Sequence, residues 1–76
     1  MEAGQNRTGV SLERRHLTAE QREWLDLMAD AGPVPRSRMR EHVRGQIALH
    51  HLTLMELVAD NGTVVRLTIR GRALSQ

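Results

Sequence analysis

The sequence predicts a small α+β domain, three helices followed by a two-stranded hairpin. Three observations predict it. One segment carries helical apolar spacing between a helix start signal and a Gly-Pro stop. An Asn-Gly pair stands between two apolar runs. Behind that pair, apolar and polar residues alternate strictly.

Residues 1–16 show no period. Gly4, Asn6, Thr8 and Gly9 predict a mobile tail, since chain ends are disordered unless tied down. A short edge strand is the alternative, because Val10 and Leu12 alternate with Ser11 and Glu13. The domain proper is expected over 17–74, with 75–76 a terminal stub. The first helix is expected at 18–31. Thr18 and Gln21 have the spacing of a capping box, which satisfies free amides at a helix start. Glu20 and Glu23 fall where the helix dipole favours negative charge. Trp24, Leu27, Met28 and Ala31 share one face, and Gly32-Pro33 ends the helix.

Val34, between two prolines, is expected to be extended. Pro35 suits the first turn of a second helix, which needs no amide there. In that helix Met39 and Val43 face the core, Arg36, Arg40 and Arg44 line another face, and Gly45 breaks it. Residues 46–59 allow two readings. As one helix they turn Ile47, Ala48, His51, Leu52, Met55 and Val58 to one side, and Leu49, His50, Thr53, Glu56 and Leu57 to the other. Alternatively the second half is a strand, which the hairpin signal at Asn61-Gly62 favours. The expected elements are a third helix at 46–54 and strands at 55–60 and 63–69. A type I′ turn would give both Asn61 and Gly62 positive φ. Trp24, Met28, Met39, Val43, Ile47, Leu52, Val65 and Leu67 should form the core, with His51 partly buried beside them.

Composition narrows the function. Seventy-six residues allow one modest core, and chains of this size without staples are marginally stable. A homodimer is one source of extra stability. Cysteine is absent, which removes disulfides and thiolate metal sites. No apolar run approaches the roughly 20 residues of a membrane span, and Met1–Arg15 lacks the apolar centre of a signal peptide. A cytoplasmic location is expected. Phe and Tyr are absent and Trp24 is the lone aromatic residue, which argues against modules that stack bases on aromatic platforms. His50 and His51 are neighbours and point about 100° apart, and His42 and His16 complete no metal set with them. No nucleophile motif, zinc motif or phosphate loop is present. A non-enzymatic binding protein without cofactor is expected.

All eleven basic residues are arginine, and they cluster. Arg36, Arg38, Arg40 and Arg44 stand against Glu41 alone, and Arg66, Arg70 and Arg72 follow the hairpin turn without any acid. Acidic stretches separate these basic segments, which points to a polar molecule with a basic side.

Val65-Arg66-Leu67-Thr68-Ile69-Arg70-Gly71-Arg72-Ala73-Leu74 resembles the segment V-x-L-T-x-x-G-R-A-L that closes the wing of many bacterial winged helix-turn-helix transcription regulators. The resemblance, with the helix order, covers 17–74. It implies a closing helix begun at the threonine, a third helix in the DNA major groove and a hairpin on the neighbouring backbone. On that reading Arg36, Arg38, Arg40, Arg44, Arg66, Arg70 and Arg72 would hold phosphates, with Gln46, His50 and Thr53 facing bases. The family also implies a second kind of partner, a protein of the transcription machinery such as RNA polymerase or another regulator. Leu49, Leu57 and Trp24 are the expected anchors for such a partner. That alternative rests on the lack of Arg or Lys on the outer face of the third helix, on the minimal wing and on the acidic first helix. The chain ends six residues after Arg70, so no long closing helix of the dimer-building kind is expected.

Overall fold

The computed structural model describes residues 12–75. They form a small α+β fold of four helices and a three-stranded antiparallel sheet. A single 3-10 turn at Arg14–His16 leads into α1, Ala19–Ala31. The part of the expected tail at 1–11, with Val10, lies outside the described residues, as does Gln76. From Leu12 onward the expectation of a tail is corrected, because the chain is tied down. Leu17 is buried, and Arg14 donates to both carboxylate oxygens of Asp26 at 2.8 and 2.7 Å.

The start of α1 follows its sequence signals. The Gln21 amide donates to Thr18 Oγ1 at 3.1 Å and the Thr18 amide donates to Gln21 Oε1 at 2.9 Å. Gly32, at φ +88°, closes the helix through its amide to Met28 O. Leu25 and Met28 carry the buried face. Trp24 is only half-buried, at the rim, where its indole N–H donates to Glu20 at 2.7 Å.

Val34–Pro35 is more than an extended linker. It forms strand β1, with Val34 opposite Val65 and Pro35 opposite Val64. Proline suits this edge position, where its missing N–H breaks no ladder. Strands β2, Val58–Asp60, and β3, Val64–Leu67, complete the sheet in the order β1-β3-β2.

The second helix is much shorter than predicted. α2 spans Arg36–Met39, and the chain turns before α3, Val43–Leu54. Gly45 does not break a helix. It lies inside α3, and a Cβ there would collide with the Met39 carbonyl. Glycine at this point lets α3 press directly against the end of α2.

This close approach turns α3 relative to expectation. Gly45, Ala48, Leu49 and Leu52 are buried. Val43 and Ile47, expected in the core, are 67% and 51% exposed, and Leu49, expected outside, is 6% exposed. His51 is exposed and Leu57 is fully buried. The residues Ile47 to Met55 hold apolar side chains on every side, so periodicity did not select a face. Met28, Met39, Leu52 and Val65 are buried as expected, while Leu67 is half-buried.

The hairpin lies where Asn-Gly placed it, but its strands are shorter than the expected 55–60 and 63–69, because residues 55–57 form the turn after α3 and Ile69 opens a helix, and its turn differs. Only Gly62 has positive φ, at +93°; Asn61 does not. Three residues, 61–63, connect the strands. The Asn61 side chain accepts the amides of Thr63 and Val64 at 2.8 and 2.9 Å, and Asp60 Oδ1 accepts the Gly62 amide at 2.8 Å. These side-chain acceptors take amides that a type I′ turn would leave to backbone carbonyls, while the Asn61 amide still donates to Val64 O at 3.2 Å.

Thr68 organises the end of the chain. Its amide donates to Leu57 O, its hydroxyl donates to Glu56 O at 2.7 Å, and the same oxygen accepts the Gly71 amide at the start of α4, Ile69–Leu74. Gly71 has no room for a Cβ, which would collide with the Leu57 carbonyl. Threonine and glycine at this spacing therefore dock α4 on the turn between α3 and β2. Glu56 in that turn has φ +61°, a left-handed conformation that costs a non-glycine residue roughly 1 kcal/mol. Its side chain is exposed and lies 3.8 Å from Arg70, a contact of little strength. Glu56→Gly should therefore stabilise the fold by about 0.5–1 kcal/mol, measured as a higher urea midpoint. A lower midpoint would show that the Glu56–Arg70 contact outweighs the strain.

Candidate binding surface

The outer surface of α3 and what flanks it form the candidate site. Helical geometry orders its residues, since each step turns about 100°. Val43, Ile47, His50 and Leu54 lie along the line opposite the buried face. Their spacing is the four-three-four of an interhelical seam. Val43, Ile47 and Leu54 are 67%, 51% and 68% exposed. One border of the stripe carries Gln46 and Thr53, the other Arg44 and His51.

On the first border, α2 and the hairpin turn come together. Arg36, Arg40, Gln46, His50, Thr53 and Asp60 line one shallow depression, with Leu49 at its base. Arg36 and Arg40 also line a second depression with Ser37, Gly62 and Thr63. The structure thus gathers Arg36, Arg40, Gln46, His50 and Thr53 as the sequence suggested. Their chemistry is less free than expected. The Arg36 Nε–H donates to Asp60 Oδ2 at 2.7 Å. The Gln46 amide nitrogen donates to Arg40 O at 3.0 Å, and the Thr53 hydroxyl donates to Leu49 O at 2.7 Å.

The Arg36 guanidinium, and after it the Gly62 amide, hold the Asp60 carboxyl below its ordinary range. A depressed folded-state pKa adds stability above the unfolded value of about 3.9, and that stability is lost as pH falls through the folded value. Asp60 therefore fastens α2 to the hairpin at neutral pH. Asp60→Asn should cost about 1 kcal/mol at pH 7, because the Gly62 amide keeps an acceptor while the charged bond is lost. In chemical denaturation the gap to the parent should close in acid. A gap that is constant with pH would deny the ion pair this role.

The other arginines lie elsewhere. Arg44 belongs to α3, not to an Arg36–Arg40 stripe, and approaches Glu20 of α1 at 3.4 Å. Arg38 lines a cleft with Glu20, Glu23 and Trp24. Arg66 is exposed opposite Ala59 in the sheet. Arg70 stands beside Glu56, at the end of the hairpin away from its turn, and Arg72 follows in α4. The expected single basic surface is thus divided. Two of the expected apolar anchors, Leu49 and Leu57, are core residues instead. Val43, Ile47 and Leu54 hold the exposed position, and the signal for them was the close-packing glycine at 45. Among the described residues no group of three or more His, Asp or Glu could hold a metal ion, and no helix is long and apolar enough to cross a membrane.

Comparison with protein families, with curated proteins and with solved structures finds no match.

Proposed function

We propose that this chain is a non-enzymatic transcription regulator of winged helix-turn-helix type that docks on another protein through α3. In this reading α2 and α3 are the helix-turn-helix and β2–β3 is the wing. The order helix, strand, two helices, two strands supports it, as does the Thr68-to-Gly71 closure. The partner is a component of the transcription machinery or another regulator.

One observation carries the choice of protein over DNA: of the four residues on the outermost line of α3, Val43, Ile47, His50 and Leu54, three are aliphatic and all are exposed. Base edges in the major groove present hydrogen-bonding groups to side chains, and thymine methyls are their main apolar feature. A reading helix with three aliphatic residues on its leading line would leave most of those groups unanswered. A protein partner instead removes the aliphatic surface from water. The test is cross-linking from a benzophenone amino acid placed at position 47 or 54 in the cells that make the protein. Adducts that resist nuclease and contain one defined protein are expected. Nuclease-sensitive adducts would overturn the reading.

Duplex DNA is the second reading, favoured by the patch of Arg36, Arg40, Gln46, His50 and Thr53 beside the hairpin turn. There Arg40 would hold a phosphate and His50 would face a base, with contacts that position more than they specify.

A further inference from the structure

Resting on the protein-docking reading, we propose that the occupant of the α3 stripe is an acidic amphipathic helix from another protein. The stripe repeats at four-three-four spacing over the 12 residues of α3, a length and pattern that a second helix can match side by side. Beside it a shallow groove continues the apolar surface toward α1, with Ile47 and Ala48 on one wall, Thr18, Glu20 and Gln21 on the other, and Glu20 turned to Arg44. A helix seated along the stripe would therefore meet aliphatic surface beneath it and part of the α1 flank at one side.

Charge selects the chemistry of that helix. From Val43 to Leu54 there is no acid at all, and the acid beside the stripe, Glu20, has one carboxylate oxygen on the Trp24 indole and the other near Arg44, whose side chain stays 83% exposed. Arg40 borders the stripe on the hairpin side and Arg44 on the α1 side, both near its N-terminal end, where the α3 dipole is also positive. Glutamates and aspartates flanking the apolar residues of the partner would meet these guanidinium groups, and a basic helix would be repelled.

The chain cannot supply this helix itself. In α1, the acidic helix, Leu25 and Met28 are buried and Trp24 and Leu27 are partly covered, which leaves no exposed aliphatic stripe. Residues 1–11 contain a single acid, Glu2. Two α3 helices facing each other would bring Arg44, His50 and His51 of each copy together with no acid from either helix.

The probe is a 14-residue peptide cross-linked into a helix, with leucine at four-three-four spacing and glutamate at the other positions, read by fluorescence anisotropy on the full chain. Its counterpart carries lysine in place of glutamate. The acidic peptide should bind at least tenfold more tightly than the lysine peptide. Ile47→Asp should weaken it at least tenfold, and Arg44→Glu by a smaller factor. Both sites are exposed, so circular dichroism should show unchanged folding. Equal binding of the two peptides, with loss in Ile47→Asp, would overturn the acidic helix and leave the docking reading intact. No binding of either peptide up to millimolar concentration would overturn the proposal, as would self-association that Ile47→Asp abolishes. Failure of the docking reading itself would look different: duplex DNA binding lost in Ile47→Asp.

Discussion

Gly45→Ala is expected to cost about 3 kcal/mol, near the upper end for overpacking a close contact. Helix propensity alone points the other way, since alanine favours a helix interior by up to about 1 kcal/mol over glycine. The clash wins because the obstacle is backbone. A Cβ at residue 45 meets the carbonyl oxygen and carbon of Met39, which no change of rotamer can move. Relief requires α3 to lift from α2. That would loosen the bed of Leu49 and Leu52 and displace Arg40, whose carbonyl holds Gln46. For a domain of this size the melting temperature should fall by roughly 12–24 °C. A melting temperature equal to or above the parent would mean that α2 and α3 are not pressed together at this point.

Leu52→Ala should cost roughly 2–5 kcal/mol, as for other fully buried leucines. Leu52 has no exposed surface and packs within the main cluster of α1, α3 and the sheet. Its carbonyl also accepts the Leu57 amide at 2.9 Å, so the cavity would sit beneath the turn that leads into β2. Against a total stability of ~5 kcal/mol for so short a chain, this loss would leave a large unfolded fraction. Leu54→Ala is the control. It removes the same atoms two residues later, from a side chain 68% exposed, and should change stability by no more than about 0.5 kcal/mol. Urea denaturation of both variants separates the faces of α3. Equal losses would put Leu54 in the core and remove the exposed stripe.

These two positions also show what was legible in the sequence. Local hydrogen bonding was legible. Thr18 and Gln21 cap α1 as their spacing implies and Gly32 ends it, whereas the helix begun at Thr68 was implied by the family resemblance alone, since alternation carried the strand through 69. The hairpin was placed correctly because Asn-Gly between apolar runs admits few alternatives. The type of its turn was not, because the side chains of Asp60 and Asn61 supply acceptors that a backbone rule does not count. The buried face of α3 was illegible for a different reason. Ile47 and Leu54 point one way and Leu49 and Leu52 the other, so apolar residues stand on both sides of α3, and Gly45 decides between them through contact with α2. Glycine was read as a helix breaker where it serves close packing. That one inversion moved Val43 and Ile47 from core to surface and Leu49 from surface to core. With them moved the expected site, from a basic face toward an apolar line.

The salt dependence of binding to random duplex DNA tests the central claim most directly. If α3 docks on protein, the affinity should be poor. The plot of log binding constant against log salt should then fall with a slope of magnitude about 2 or less, since among the described residues Arg36 and Arg40 are the arginines that line the depression at the hairpin turn. Ile47→Asp should leave that slope and affinity essentially unchanged. A slope of magnitude about 5 or more, with tight binding at low salt and a large loss in Ile47→Asp, would contradict the account and make α3 a groove-binding helix.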